Sequence, residues 1–179
     1  MALGISRKAA GIAPSATLAL NAKVTAMKAA GEKVIGFASG EPDFDTPVAI
    51  RDAAKTALDT GKTRYTAASG TPELRKAIQQ KLLAENGLDY DISQIVVSNG
   101  AKHSIFNAFF ALIDDGDEVI IPTPCWVSYP EMVKMCGGVP VFAQTTEEDN
   151  FVLKPSQIEA AITGKTKAFM LTSPSNPNG

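Results

Sequence analysis

Three short stretches carry side chains and backbone suited to holding an anionic, planar ligand. The first is Ser98-Asn99-Gly100-Ala101-Lys102, between an apolar extended run and a helical pattern. Its small residues let backbone N–H groups approach an anion. The helix start that follows adds partial positive charge, and Lys102 adds a full one. An ordinary strand-to-helix turn has the same composition. The second is Trp126, the single tryptophan, in Thr123-Pro124-Cys125-Trp126 after an apolar strand pattern. In open α/β sheets ligands bind beyond the C-terminal ends of strands. A tryptophan there offers a flat face for stacking, although large aromatics also simply pack. The third is Asn176, in Ser173-Pro174-Ser175-Asn176-Pro177, again after a strand pattern. Two prolines stiffen this loop and the amide can donate to an anionic oxygen. Asn-Pro is equally a turn signal.

Other motifs fail on spacing. Gly61-Lys62-Thr63 and Gly164-Lys165-Thr166 suggest phosphate loops, but the required first glycine is replaced by Thr56 and Glu159. No Gly-x-Gly-x-x-Gly occurs, so the dinucleotide fingerprint is absent. His103, the only histidine, has no nucleophile arranged with it and is assigned to packing or support near the Ser98–Lys102 turn. The acidic cluster from Asp114 to Glu118 lacks calcium-loop spacing and reads as a solvated turn. Cys125 and Cys136 are too few for a disulfide framework and lack metal-ligand spacing. Both are expected to be reduced and packed, and no metal site is expected.

The elements that would position these groups follow from caps and periodicity. Ser15 caps a helix over residues 16–30, with Gly31 as the stop. Residues 34–37 are a short extended run, followed by a loop through Asp45. Thr46-Pro47 starts a helix to about Asp59, with Thr46 as cap and Pro47 at the first helical position. Thr71-Pro72-Glu73 repeats that signal, with Gly87 as the stop. From residue 94 onward strands alternate with helices. Strands are expected over 95–97, 118–121, 139–143 and 167–171, and helices over 102–113, 127–135 and 155–162. That alternation predicts a largely parallel sheet covered by helices.

Bulk properties bound the function class. A net charge of −2, with Lys and Arg scattered, argues against nucleic-acid or membrane-surface partners. No apolar run approaches the ~20 residues of a membrane span. The N-terminal residues lack the apolar region of a signal peptide. A cytoplasmic enzyme is the expected class.

Taken together and in order, these segments resemble the class I aminotransferases of pyridoxal-phosphate (PLP) fold type I, most nearly the prokaryotic aspartate aminotransferase branch. The matching segments are Pro14-Ser15-Ala16-Thr17, Ser39-Gly40-Glu41-Pro42-Asp43-Phe44-Asp45-Thr46-Pro47, Gly61-Lys62-Thr63-Arg64-Tyr65, Gly100-Ala101-Lys102, Pro124-Cys125-Trp126-Val127-Ser128-Tyr129-Pro130 and the run from Ser173 to Gly179. Two departures stand out: Asn178 where threonine is usual, and Cys125 where an aromatic is common. The resemblance implies an α/β chain forming part of the fold-type-I large domain. Residues 1–45 would be an arm, helix and substrate loop of the small domain, and residues 46–179 part of the PLP-binding domain.

The resemblance also implies roles. Gly100, Ala101 and Lys102 would border the PLP phosphate, and Trp126 would stack on the pyridine ring. Asn176 would bond the ring's phenolic oxygen and the substrate carboxylate, to which Gly40 would offer its backbone. Tyr65 would reach the phosphate of the partner subunit in a homodimer. Ser15 and Lys102 would contact a distal carboxylate, favouring aspartate and 2-oxoglutarate over aromatic, alanine or other class I substrates. Pro124 and Pro177 would be cis. The family's cofactor-holding lysine, its carboxylate for the pyridine nitrogen and its substrate-clamping arginine all lie beyond the Asn-Pro-x-Gly segment. No Ser-x-x-Lys occurs here, so no lysine of these residues is assigned to catalysis. A non-catalytic ligand-binding module or remnant therefore stays open. The strand near Ile95 would join the other three only through strands not among these residues, leaving edges open.

Overall fold

The computed structural model describes residues 4–37 and 40–179. The chain divides into two compact units, one made of Met1–Ala38 with Ala101–Gly179 and the other of Ser39–Gly100. Along the chain the helices are α1 (Arg7–Ala10), α2 (Ala16–Ala29), α3 (Val48–Asp59), α4 (Pro72–Asn86), α5 (Ala101–Leu112), α6 (Ser128–Met135) and α7 (Pro155–Ala161). The strands are β1 (Glu118–Thr123), β2 (Val139–Gln144) and β3 (Thr166–Phe169), and single 3-10 turns lie at Ile92–Gln94 and Glu147–Asp149.

In the first unit the sheet order is β2-β1-β3. Both pairings are parallel, with Glu118 opposite Val139 on one side and opposite Thr166 on the other. The middle strand must be apolar on both faces, and it is: Val119, Ile120 and Ile121 are almost wholly buried. The core around it combines Phe109 and Ile113 with Tyr129, Met132, Val133 and Cys136. The expected helices over 102–113, 127–135 and 155–162 form within a residue or two of their bounds.

In the second unit α4 begins as expected. The Thr71 hydroxyl accepts from the Leu74 N–H, Pro72 opens the helix, and Gly87 closes it in the left-handed conformation at φ 65°. The start of α3 differs. Pro47 itself holds the cap position and no side chain caps the helix, so Thr46 is not the cap.

Residues 95–97 form no ladder, although a strand is expected there. Ile95 is extended, at φ −108° and ψ 123°, and buried. A strand needs a neighbour for its polar groups, and here other partners serve. The Ile95 carbonyl accepts from Arg75 Nε at 2.9 Å, and the Val97 N–H donates to the Ser69 carbonyl at 3.0 Å. Arg75 Nη2 also donates to the Ile92 carbonyl. Residues 34–37 likewise form no ladder. Among the described residues no helix is long and apolar enough to cross a membrane.

Candidate functional site

The chemistry-bearing residues of the first unit lie where its strands end and α5 begins. β1 ends at Thr123 and leads directly into Pro124, Cys125 and Trp126. The Thr123–Pro124 bond is cis, as are Ser173–Pro174 and Asn176–Pro177. Pro124 and Pro177 match expectation, and Pro174 adds a third. At the start of α5, Gly100 adopts φ 84°, a left-handed conformation that favours glycine, and no atom stands within 4 Å of where a Cβ would be. The Gly100 N–H turns back to the Ser98 carbonyl at 2.9 Å. The first-turn amides of the helix have no acceptor inside the helix.

Lys102 and Trp126 meet. The Lys102 ammonium stands 4.7 Å from the centre of the Trp126 ring, over its face. That contact contributes about 0.5–1 kcal/mol at an exposed lysine. The Trp126 ring is set edge-on to Tyr129, 5.4 Å between centroids, and the Tyr129 hydroxyl accepts from Thr172 Oγ1 at 3.0 Å. A line of contacts thus joins the α5 start to the loop after β3.

Two cavities adjoin these residues and share the Pro124–Cys125 wall. The larger, of about 680 Å³, is bounded by residues 12–16 and by Lys102, Thr123, Glu131, Met132, Met135 and Phe142. Ser15 and Lys102 therefore face one space. The Ser15 hydroxyl accepts from the Leu18 N–H at 3.3 Å as the cap of α2, which leaves its proton to donate. The smaller cavity, of about 260 Å³, is lined by Asn176 with Tyr129, Phe151 and Thr172.

Two groups at this site have no sequence signal. Glu131 Oε2 accepts from the Ala13 N–H at 3.1 Å, and Oε1 accepts from Lys134 Nζ at 2.8 Å. The Lys134 hydrogen bond, with a smaller contribution from Ala13, holds the Glu131 carboxyl below its usual range against the opposing effect of burial. The Thr123 hydroxyl is buried with no partner among the described residues, while its carbonyl accepts from Thr145. The first contact spans 118 positions, and the second depends on what surrounds a strand end, so neither has a local motif.

The remaining expected residues are placed as follows. Ala101 opens α5 beside Lys102, and Gly100 immediately precedes it. Gly40 and Tyr65 belong to the other unit, and both are exposed. His103 is exposed on the first turn of α5 and does not pack into a core. Both cysteines are free, and burial pushes both thiols up, so they remain protonated near neutral pH.

The sequence model of the family described as aminotransferase class I and II matches residues 32–179. The chain belongs to that family. It is 49% identical over 98% of its length to an aspartate aminotransferase of Geobacillus stearothermophilus, of which it covers 44%. It is 54% identical over 94% of its length to a probable aspartate/prephenate aminotransferase of Rhizobium leguminosarum bv. phaseoli, covering 42% of that protein. Among solved structures, it matches the aspartate aminotransferase from Thermus thermophilus with maleate at a TM-score of 0.94 and 46% identity. That match covers 98% of this chain and 46% of the other. The chain thus spans less than half the length of these relatives, and its α/β arrangement is the corresponding part of fold type I.

Aminotransferases of this class depend on PLP, a flat ring bearing a phosphate dianion. The residues present fit such a group. The α5 first-turn amides and the Lys102 ammonium are donors for a phosphate, and the open space at Gly100 lets one approach the backbone. Trp126 supplies the aromatic surface, and no acidic side chain lines the smaller cavity beside Asn176.

Proposed function

We propose that the protein bearing this chain exchanges an amino group between aspartate and 2-oxoglutarate, using PLP. The observation that carries the reading is the shared cavity of Ser15 and Lys102. An ammonium and a hydroxyl proton in this space suit the distal carboxylate of a dicarboxylic amino acid, and the one carboxylate in the wall, Glu131, already accepts from Lys134 and from the Ala13 N–H. The aspartate names of the relatives, and the maleate in the Thermus thermophilus structure, support the same chemistry.

When bound, PLP supplies an electron-withdrawing ring that weakens bonds at the substrate's α-carbon. The chain's own residues bind and orient. Ala101 and Lys102 would direct donors at the phosphate, and Gly100 would let it approach the backbone. Trp126 would stack on the ring. Asn176 donates its amide to the ring's phenolic oxygen and to the α-carboxylate, and Gly40 offers its backbone to that carboxylate. Tyr65, whose side chain is fully exposed on its own unit, donates to the phosphate held by the partner subunit of a homodimer. Residues 1–45 belong to the small domain and 46–179 to the large one.

Prephenate is the second reading. Its second carboxylate is carried on a six-membered hydrocarbon ring bearing one hydroxyl, and Met132, Met135 and Phe142 give the larger cavity apolar walls against which such a ring can pack. Relatives named for both aspartate and prephenate support it.

The test uses the complete protein with PLP. Aspartate and 2-oxoglutarate should exchange their amino group. Lys102→Met should raise KM for aspartate by roughly tenfold to a hundredfold, the worth of a charge-assisted hydrogen bond. Preference for an apolar amino acid over aspartate would overturn the substrate assignment. PLP binding without any transamination would favour a ligand-binding module.

A further inference from the structure

We propose that Glu131 is a positioning residue. It holds residues 12–16 in place as one wall of the larger cavity, and through Ser15 it sets affinity for the distal carboxylate. The inference rests on the transaminase reading above for its substrate, but not for its geometry.

Residues 13–15 have no regular backbone structure; the Ile12 N–H bonds back to the Ala9 carbonyl and Ser15 accepts from the Leu18 and Ala19 amides of α2, so these local bonds tie the wall only to its own flanks. Pro14 has no N–H, which makes the Ala13 N–H the last backbone donor before the capping Ser15. That donor goes to Glu131 Oε2 at 3.1 Å. The carboxylate is itself held. Lys134, one turn further along α6, binds its other oxygen at 2.8 Å, and the Glu131 side chain is only 19% exposed. A fixed acceptor on a packed helix therefore determines where the chain enters α2. Ser15 sits two residues beyond the tether, and both Ser15 and Glu131 line the cavity. Releasing Ala13 lets the wall move away and takes the Ser15 hydroxyl with it. Lys102, on α5, stays where it is.

Three readouts on the complete, PLP-loaded protein test this. Amide hydrogen exchange within residues 12–16 should speed up about tenfold in Glu131→Ala, because a hydrogen bond to a charged acceptor is lost. Glu131→Gln retains an acceptor for Ala13 but not the ion pair, and an intermediate increase of about threefold is expected. Should the alanine variant not fold, the glutamine variant decides alone. KM for aspartate should rise about tenfold in Glu131→Ala, with its kcat and the KM for an apolar amino acid changing less than about twofold. In a Ser15→Ala background Glu131→Ala should add less than about twofold, because the two residues act through one contact.

Wild-type exchange rates in every folded variant overturn the tether. Equal rises in KM for aspartate and the apolar amino acid reduce Glu131 to general packing and overturn its role in specificity. So does an undiminished effect in the Ser15→Ala background. If the protein transaminates nothing, the proposed function fails, and the exchange experiment still decides whether Glu131 holds the wall.

Discussion

Single residues here make physical demands that can be measured. Thr123 buries its hydroxyl with no partner among the described residues. A buried, unpaired hydroxyl costs about 1–3 kcal/mol, so an isosteric apolar group should relieve it. Thr123→Val is expected to leave stability unchanged or raise it by up to about 1 kcal/mol in urea unfolding. A loss larger than that would mean the hydroxyl has a partner. Glu131 makes a pH prediction. Its folded-state pKa lies below the unfolded value, chiefly because of Lys134. Its contribution is therefore present above the ordinary carboxylate range and lost as pH falls through the lowered folded value. Urea midpoints of wild type and Glu131→Gln should differ near neutral pH and converge in acid. A gap that widens on acidification would contradict the sign. Lys102, Trp126 and Asn176 can be nominated from type and position, whereas Ser15 reads locally as a helix cap and gains a substrate role only from the family resemblance. Glu131 cannot be nominated, because its partner Ala13 is 118 positions away and no local pattern records such a pairing.

At the scale of elements, what could be read was what short-range physics dictates. Thr71-Pro72 and Gly87 mark both ends of α4, because caps act within one turn. The Val119-Ile120-Ile121 run announces a strand covered on both faces. The order β2-β1-β3 is set by non-local pairing and was not visible. Nor was it visible that residues 95–97 would bond to Arg75 and Ser69 and not to a strand. One junction between elements makes a sharp prediction. A Cβ on Gly138 would lie 2.7 Å from Ile113 Cγ2, 2.9 Å from Val133 Cγ1 and 3.1 Å from the Asp117 carbonyl oxygen. Ile113 and Val133 are core residues, and that carbonyl already accepts from the Val139 N–H at 2.8 Å. None of the three can yield freely. Gly138→Ala should cost about 1–3 kcal/mol by overpacking where α6 turns into β2. Gly164→Ala, with open space around it, is the control and should change stability by less than about 0.5 kcal/mol. Equal effects at the two positions would show that the α6–β2 junction tolerates a methyl group.

At the scale of the molecule, the question is whether these 179 residues can stand alone. The first unit has a core, but both outer strands of its sheet, β2 and β3, have an unpaired edge among the described residues. The second unit is weaker. Ile95 is the only buried residue among its described positions, while Phe44, Leu58 and Val96 are each more than 60% exposed. A domain of about 60 residues is stable only if it buries about 60% of the surface its unfolded chain exposes, and one buried side chain does not approach that. Its apolar groups remain open to association. The isolated 179-residue chain should therefore elute as aggregate or unfold without a sharp transition. The test is size-exclusion chromatography followed by thermal and urea unfolding of the soluble fraction. A soluble monomer with one cooperative transition would overturn the prediction. It would mean that the β1–α6 core alone supplies enough burial to order everything attached to it.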